Sequence, residues 1–452
     1  MNITPFVHEG LGNSSYLVPL RDGTAAVIDP DRSVGRYIAA ADALGLTITH
    51  VFESHLHADF VSGACELAAI AGATVFAAKG AEARFAHRPL DHGDAVDVGG
   101  SRFEAVASAG HTPEHVAYVF RRENSPPALF SGGSLIVGGA GRTDLLTPEL
   151  TGPLTRAQFR TLQGAYSKLP DETLLMPTHG GGSFCSTGTG SERTSTLGWE
   201  RKTNPLLVMR DEEEFVRWFP TTFPAAPDYF FKLRPINQRG PRLRAEVGVP
   251  PQLEPADFAR AAGQAVVIDV RPQAEFMAGH VPGAMSNTFR DAFATWLGWL
   301  VPLDRPLLFV LGEAPLEGVL DESLLVGHER FVGVLRGGMG AWNAAGLQVA
   351  TAGLVDAEGA REILLAGAIA LDVREPDEFA SGHIEGAISI PLGSLAAKLG
   401  TLSRDSPIVT NCGHGERSAT ALSILQRAGF DKLHNLDGGI DAWQEAGYRV
   451  VS

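Results

Sequence analysis

The segment NCGHGERS, residues 411–418, decides how the C-terminal part of this chain is expected to fold. It follows a run, SPIVT, that is typical of a β-strand, and it precedes a stretch in which apolar residues recur at helical spacing. Cys412 is therefore predicted to lie at a strand-to-helix turn. Gly413 and Gly415 allow the backbone to turn tightly there, and the free N–H groups at the start of the helix favour a thiolate.

The flanking residues separate a reactive cysteine from a buried structural one. Free cysteines are often packed in apolar cores, whereas the neighbours of Cys412 are polar, and Arg417 adds a positive charge that favours the thiolate. We therefore predict Cys412 and Arg417 as catalytic residues. The predicted substrate-binding loop consists of Gly413, His414, Gly415, Glu416 and Ser418.

The composition is that of a multidomain protein with small-molecule substrates. Its 452 residues correspond to about three domains, and the net charge of −15 argues against nucleic acids and anionic membranes as partners. The N-terminal residues lack the basic and apolar regions of a signal peptide, and no apolar run is long enough to span a membrane. The three cysteines are too far apart to indicate a disulfide framework. We expect a cytoplasmic protein acting on thiols or related small molecules, and the sequence leaves a homo-oligomer open.

Polar side chains follow several predicted strands in the first 180 residues. SHLHADF, residues 54–60, follows a strand-like run and places His55, His57 and Asp59 close together. Three such side chains at this spacing favour a metal site over solvent-facing polarity. Further clusters, each in a loop after a β-type run, are GHTPEH at 110–115, GRTD at 141–144 and PTH ending at His179.

The order of these motifs resembles the metallo-β-lactamase fold and, within it, the persulfide dioxygenases, over about residues 10–241. The resemblance implies an αββα sandwich and a single iron held by the first His of HxHxDH, the His of GHTPG and the Asp of a TGD turn. His55 and His111 match two of these ligands. Gly133 stands where the Asp is expected, and Phe60 replaces the last His of HxHxDH, which removes a ligand of the second metal in dinuclear members.

The resemblance therefore implies one divalent metal, with iron favoured over zinc and zinc still open. His57, Asp59, a water or a thiol would replace the missing carboxylate. Its predicted ligands are His55, His57 and His111, with Asp59 and His179 converging from neighbouring loops. The alternative is a hydrogen-bonded polar pocket inherited from a metalloenzyme. The predicted pocket also contains Gly133, Arg142, Asp144 and Cys185. For Cys185, a loop thiol away from the site is the competing interpretation.

The second half of the chain contains an internal repeat. VVIDVRPQAEFMAGHVPGAM at 266–285 and IALDVREPDEFASGHIEGAI at 369–388 share D-V-R, E-F, G-H and G-A. A second block, LRGGMGAWNAAGLQV at 335–349, recurs as LDGGIDAWQEAGYRV at 436–450. The repeat predicts two α/β units, each with a buried parallel sheet between helices. The Asp-Val-Arg triplets are interpreted as structural, through charged hydrogen bonds, rather than catalytic.

The repeat and the Cys412 loop resemble the rhodanese family of sulfurtransferases over about residues 253–452. The resemblance implies that Cys412 carries a persulfide. Arg417 stands one position earlier than in the C-x5-R loop of phosphatases, and Glu416 would repel a phosphate dianion. In the first repeat, Leu311 and Leu316 occupy the positions of Cys412 and Arg417, and no cysteine lies between 253 and 411. That repeat is therefore expected to be inactive, as a spacer or a docking surface.

These resemblances predict three domains, at residues 1–241, 253–350 and 356–452. The expected protein is a sulfur-metabolism enzyme of the persulfide dioxygenase–rhodanese fusion type. Its N-terminal domain acts on a low-molecular-weight persulfide, and its last domain transfers sulfane sulfur through Cys412, with thiosulfate or sulfite as further small-molecule partners. Two alternatives stay open for the N-terminal domain. One is a thioester hydrolase similar to glyoxalase II, and the other is a metal-free module that binds a persulfide for the rhodanese.

Overall fold

The computed structural model describes residues 2–187 and 190–452. The chain divides into two units, Met1–Val247 with Asp321–Gly327, and Gly248–Leu320 with His328–Ser452. The main division lies inside the proline-rich stretch 220–251, where a domain boundary is expected from the sequence. None of the described helices is long and apolar enough to cross a membrane.

The first unit contains two six-stranded mixed sheets, and in both of them neighbouring strands follow one another in chain order. The first sheet consists of β1 (Thr4–His8), β2 (Asn13–Pro19), β3 (Thr24–Ile28), β4 (Thr47–Glu53), β5 (Thr74–Ala78) and β6 (Arg88–Leu90). The second consists of β7 (Ala95–Val98), β8 (Ser101–Ala107), β9 (Val116–Arg122), β10 (Ala128–Gly132), β11 (Leu174–Pro177) and β12 (Ser195–Thr196). β2 and β3 pair antiparallel, so the chain turns back between them around Asp22.

Helices cover the outer faces of both sheets, so the unit has the αββα order that the resemblance implies. They are α1 (Gly35–Ala43), α2 (Ala64–Ala71), α3 (Pro148–Arg160), α4 (Leu197–Thr203), α5 (Pro205–Val208), α6 (Glu212–Trp218), α7 (Phe230–Arg239) and α8 (Arg244–Val247). Aromatic rings fill the space between the sheets; Phe52, for example, stacks on Phe76 and Phe103 with ring centroids 4.9 and 4.4 Å away. Because both faces of each sheet are covered, strands such as β9 are buried along most of their length.

The second unit contains two five-stranded sheets, one from each sequence repeat, and all described strand pairs in them are parallel. The first repeat contributes β13 (Gln252–Leu253), α9 (Pro255–Ala262), β14 (Val266–Asp269), α10 (Gln273–Ala278), β15 (Met285–Ser286), α11 (Phe293–Leu300), β16 (Leu307–Val310), α12 (Leu316–Leu325), β17 (Phe331–Leu335) and α13 (Gly338–Ala344). The second contributes β18 (Gly353–Val355), α14 (Ala357–Leu365), β19 (Ile369–Asp372), α15 (Pro376–Ser381), β20 (Ile388–Ser389), α16 (Leu395–Lys398), β21 (Ile408–Asn411), α17 (Glu416–Arg427), β22 (Leu433–Leu436) and α18 (Gly439–Glu445).

The two sheets have the same strand order, β13-β17-β16-β14-β15 and β18-β22-β21-β19-β20. The Asp-Val-Arg triplets also play the same part in both. Arg374 binds Asp372 and donates to the carbonyl of Gly382 over 2.7 Å. Arg271 does the same with Asp269 and the carbonyl of Gly279, at 2.8 Å. These buried ion pairs join the end of a strand to the end of the next helix, which agrees with their structural interpretation.

Candidate active sites

Cys412 is the first residue after β21, directly before the turn into α17. The backbone N–H of Gly415 donates a hydrogen bond to its Sγ over 3.1 Å, and Oγ of Ser418 lies 3.5 Å from the same sulfur. Gly415 has φ +108°, a conformation in which only glycine is unstrained. Cys412 is only 1% exposed. Its buried sulfur is thus contacted by the polar groups of the loop, namely the N–H of Gly415 and the hydroxyl of Ser418. Such N–H groups stabilise a thiolate.

The glycine pair Gly438 and Gly439 lets the start of α18 pack closely against this loop. Gly439, at the start of α18, has φ +60°, and a Cβ there would lie 2.4 Å from the carbonyl oxygen of Cys412. That carbonyl accepts a hydrogen bond from the N–H of Ile440 over 2.8 Å. The Gly-Gly pair of the repeated sequence block therefore lets α18 approach the cysteine loop closely, a role that the repeat alone did not indicate.

Arg417 is held by a carboxylate outside the loop. Its guanidinium donates two hydrogen bonds, of 2.7 and 2.6 Å, to Glu378 on α15. Burial opposes its charge, but Glu378 and the negative charge of Cys412 raise the pKa of Arg417, which stays protonated. His414 pairs with Asp441 at 2.9 Å on the exposed side of the loop. Arg417 is thus a cation shared between the loop and Glu378, not the free positive charge expected from the sequence.

The first repeat has the same turn without the chemistry. Leu311 follows β16 as Cys412 follows β21, and α12 begins at Leu316. A Cβ at the next residue, Gly312, would lie 2.7 Å from Arg271. The turn therefore carries an apolar side chain where a nucleophile would stand, as the alignment of the repeats predicts.

In the first unit, three loops bring buried imidazoles together. His55 follows β4, His111 follows β8 and His179 follows β11, and one ring nitrogen from each lies within 4.8 Å of the other two. The Nε2 atoms of His55 and His179 are 3.2 Å apart. Nδ1 of His111 donates to the carbonyl of Arg142 over 2.6 Å, and its buried Nε2 has no hydrogen-bond partner among the described residues. The three side chains form a nitrogen donor set.

The surroundings keep the imidazoles of His55 and His111 neutral. Burial and the nearby His179 lower the pKa of His111 to about 3. Burial and the neighbouring histidines lower the pKa of His55 well below its usual value. A neutral imidazole has a free lone pair, which is the form that binds metals.

His57 lies beside this set rather than within it. Its Nε2 is 3.4 Å from Oδ1 of Asp29 and 3.6 Å from Oε2 of Glu53. Burial and Asp29 raise the pKa of Glu53 well above its usual value. His57 also groups with Asp59 and His179, but no cluster of His55, His57 and His111 is found among the described residues. The structure therefore places His179, not His57, in the three-histidine set.

Phe60 stacks on His57, with ring centroids 4.2 Å apart. Asp59 lies beside His179, with Oδ2 and Nδ1 3.1 Å apart. Burial alone would raise the pKa of Asp59, but its interaction with His179 lowers it, so that Asp59 is a carboxylate next to the donor set. Asp59, the one predicted carboxylate ligand, is therefore close to the histidines. Phe60 puts an aromatic ring where dinuclear relatives have a histidine ligand of the second metal.

Gly133 is packed against the ring of His111. A Cβ at position 133 would lie 2.4 Å from Cδ2 of His111, and one at Gly141 would lie 2.7 Å from its Nδ1. The N–H of Gly133 donates to Nε2 of His115 over 3.0 Å. The two glycines enclose the imidazole from both sides, and no space is left for the carboxylate side chain that the TGD turn would supply.

Cys185, for which the sequence left open a loop thiol away from the site, lies near Asp59 beside the histidine cluster. The residue is completely buried, and burial together with Asp59 raises the pKa of its thiol well above the usual value. Arg142 holds this loop: its backbone N–H donates to the Cys185 carbonyl over 3.0 Å and its guanidinium binds Asp144. Arg142 and Asp144 therefore position the loop of Cys185 and, through the Arg142 carbonyl, the ring of His111.

Other residues at the site carry no local sequence signal. Asn237 on α7 donates to the carbonyls of His57 and Phe60, at 2.8 and 2.9 Å, and thereby fixes the HxHxD loop. Tyr229, also near Asp59 and Cys185, is buried, and its hydroxyl has no hydrogen-bond partner among the described residues. Both lie in the proline-rich stretch 220–251, which contains none of the recognised motifs. His115, the last residue of GHTPEH, was the one member of this group within a recognised motif.

Comparison with known proteins gives separate matches for the N-terminal part of the chain and for its two repeats. A sequence model of the metallo-beta-lactamase superfamily matches residues 8–179, and one of the rhodanese-like domain matches 254–345 and 356–446. Thiosulfate sulfurtransferase GlpE of Stutzerimonas stutzeri is 36% identical over 87 residues, 19% of this chain and 80% of that protein. The chain combines a metallo-beta-lactamase domain with two rhodanese-like domains.

Two further similarities concern the metallo-beta-lactamase part. Hydroxyacylglutathione hydrolase of Rhodospirillum rubrum is 37% identical over 133 residues, 29% of this chain, and the match spans only 50% of that hydrolase. The crystal structure of a metallo-beta-lactamase from Staphylococcus aureus subsp. aureus COL superposes with a TM-score of 0.65 at 28% identity. It covers 74% of this chain and 98% of the solved one. The similarity thus extends beyond a single domain.

The metallo-beta-lactamase domain fits a divalent metal. The unpartnered, buried Nε2 of His111 and the facing nitrogens of His55 and His179 are the donors that zinc and iron accept. A histidine nitrogen buried without a partner is costly unless it binds something. These donors do not discriminate between the two metals.

Gly133→Asp is expected to weaken the metal site instead of restoring the carboxylate of the dioxygenases. The new Cβ overlaps the His111 ring, and overpacking a well-packed site typically costs about 1–3 kcal/mol. We expect a lower melting temperature and less bound metal, measured by thermal denaturation and elemental analysis. Gly152→Asp is the matched control, because a Cβ there meets nothing within 4 Å. A gain of metal in Gly133→Asp would contradict this packing argument.

Proposed function

We propose that the protein is a sulfur-metabolism enzyme that transfers sulfane sulfur through Cys412 and acts on a low-molecular-weight persulfide in its metallo-beta-lactamase domain. The observation that carries the proposal is the hydrogen bond of 3.1 Å from the Gly415 N–H to Sγ of Cys412. A backbone N–H donor at the start of a helix favours a nucleophilic thiolate, which supports the assignment of Cys412. The similarity to thiosulfate sulfurtransferase GlpE supports the same reaction class.

In the proposed transfer, the thiolate of Cys412 attacks the outer sulfur of a persulfide donor, RS–S⁻. A bond forms between the two sulfurs, the S–S bond of the donor breaks, and RS⁻ leaves with the electron pair. Sulfite then attacks the outer sulfur of the Cys412 persulfide, which gives thiosulfate and restores the thiolate. The sequence needs no oxidant. The N–H of Gly415 stabilises the thiolate at the start and end of this cycle.

In the metallo-beta-lactamase domain, His55, His111 and His179 would hold the metal. Iron held there would supply open positions for a substrate sulfur and for O₂. Asp59 contacts His179 of the donor set, and Cys185 and Tyr229 lie near Asp59. Tyr229 offers a buried hydroxyl donor to a substrate, since its oxygen has no partner among the described residues.

A thioester hydrolase is the second candidate, favoured by the 37% identity to a hydroxyacylglutathione hydrolase. The donor set weighs against a dinuclear version of it. The groups His55/His111/His179 and His57/Asp59/His179 share His179, and Phe60 stands where a further histidine would bind. Two metals would therefore compete for one imidazole, without a carboxylate at Gly133 to bridge them.

Protein purified without chelators is expected to contain a divalent metal and to consume oxygen with glutathione persulfide, releasing sulfite. Hydrolysis of a hydroxyacylglutathione without oxygen uptake would support the hydrolase instead. Persulfide binding without metal or turnover would support the metal-free module. Cys412→Ser is the control, because it should keep the oxygen uptake and lose only the conversion of sulfite to thiosulfate.

A further inference from the structure

The cysteine-free repeat reaches the active loop of the other repeat. We infer that Gln273, on the first turn of α10, is a positioning residue for Cys412, so that the sulfur-transfer site is built from both rhodanese-like domains. This inference rests on the proposed sulfur transfer at Cys412. It changes the role of the first repeat from the spacer or docking surface expected from the sequence to a part of the site.

A short chain of hydrogen bonds connects Gln273 to the sulfur. Nδ2 of Asn435, a completely buried residue on β22, donates to Oε1 of Gln273 over 2.9 Å and to the carbonyl of Gly415 over 3.1 Å. Nε2 of Gln273 donates to Oδ1 of Asp437 over 3.1 Å, which fixes the orientation of the amide. The N–H of Gly415 in turn donates to Sγ of Cys412. Gln273 therefore orients the residue that contacts the sulfur.

Gln273 also touches Gly415 directly. A Cβ on Gly415 would lie 2.6 Å from both Oε1 and Nε2 of Gln273. The amide thus packs on the α-carbon of a residue whose φ of +108° only glycine adopts easily. A glycine in this region can rotate its peptide groups at low cost, so an adjacent packed side chain is needed to keep its N–H on the sulfur.

The rest of the interface between the repeats holds α17 in place without contacting the loop. Oγ of Ser423 accepts from the N–H of Ser286 over 3.1 Å. Oε1 of Gln426, near the end of α17, lies 3.0 Å from Nε2 of His280, and Nε2 of Gln426 donates to the carbonyl of Thr351. The first repeat therefore has two kinds of contact, one that supports the helix and one, through Gln273, at the cysteine.

The difference provides a matched pair of variants in the full-length protein. Gln273→Ala removes the contact at Gly415, and Gln426→Ala removes a glutamine contact of the same interface far from the sulfur. We expect Gln273→Ala to lower kcat for thiosulfate:cyanide sulfur transfer by roughly tenfold, the usual effect of one lost hydrogen bond. KM should change little, because Arg417 and the loop stay in place. Gln426→Ala should keep the wild-type kcat.

The pH dependence of Cys412 alkylation by iodoacetamide, followed by mass spectrometry of its peptide, separates the two roles. It should change if Gln273 positions the loop at the sulfur and should not change if Gln273 only stabilises the fold. In Gln273→Ala the pH profile of alkylation should move to higher pH, while the melting temperature of this variant stays as in the wild type. In Gln426→Ala the alkylation profile should stay as in the wild type. Equal profiles in both variants, or equal losses of kcat and melting temperature, would overturn the role of Gln273. If the wild type transfers no sulfur, the proposed function fails, while the alkylation profiles still test the contact.

Discussion

Cys412→Ser is expected to reduce thiosulfate:cyanide sulfurtransferase activity by roughly a thousandfold or more, because a serine hydroxyl cannot replace the thiolate as the sulfur carrier. The fold should persist. The new hydroxyl can still accept the hydrogen bond that Gly415 now donates to the sulfur, and the volume change is small. Steady-state assay and mass spectrometry of the sulfur-loaded protein measure the two consequences, lost turnover and lost persulfide.

Cys185→Ser serves as the control, because Cys185 lies at the histidine cluster and should not affect sulfur transfer. Activity that survives in Cys412→Ser would require another nucleophile. The first repeat has Leu311 at the equivalent position and no cysteine anywhere between residues 253 and 411. Survival would therefore disprove the assignment of Cys412 and would point to the metallo-beta-lactamase domain.

His179→Ala is expected to remove the metal almost completely. His179 belongs to two donor groups, one with His55 and His111 and one with His57 and Asp59. Its loss therefore leaves each group with only two members. His57→Ala should have a smaller effect: its Nε2 faces Asp29, in the manner of a residue that orients ligands, and such outer contacts are worth about 10–100-fold in metal affinity. Elemental analysis after purification without chelators, followed by competition with a chromogenic chelator, measures both occupancy and affinity.

The comparison distinguishes the ligand set of the structure from the one predicted by motif. If His57→Ala loses the metal and His179→Ala keeps it, the set of His55, His57 and His111 is correct and the geometry has been misinterpreted. His92→Ala, on an exposed turn outside the cluster, controls for the loss of a histidine as such. A metal retained in all of these variants would place the site elsewhere.

Local sequence patterns were sufficient for the cysteine loop. The β-type run, the glycines and the helical spacing place Cys412 at a strand-to-helix turn, and the structure has β21 and α17 on either side of it. The internal repeat likewise predicted two parallel sheets. Both succeed for one physical reason: the hydrogen-bonding and packing requirements of a strand, a tight turn or an amphipathic helix involve residues near one another in the chain.

Motif order also identified the side chains of the metal site, but not their grouping. His55 and His57 are neighbours in the sequence, yet His179 joins His55, whereas His57 faces Asp29 and Glu53. Alternation along the chain shows that two side chains diverge, and it does not show which distant loop each of them meets. The lack of space for a side chain at Gly133 also depends on a distant residue, because the ring of His111 occupies that space.

The contacts that only the tertiary structure decided join residues far apart in the chain. Asn237 fixes the HxHxD loop from within a stretch that looks like a linker, and Gln273 reaches Gly415 from the repeat that has no cysteine. A single asparagine or glutamine has no periodicity, and its partner depends on how whole sheets pack. The sequence by itself therefore determined the kinds of element and their chemistry, while long-range packing determined which polar side chains position Cys412 and the histidines.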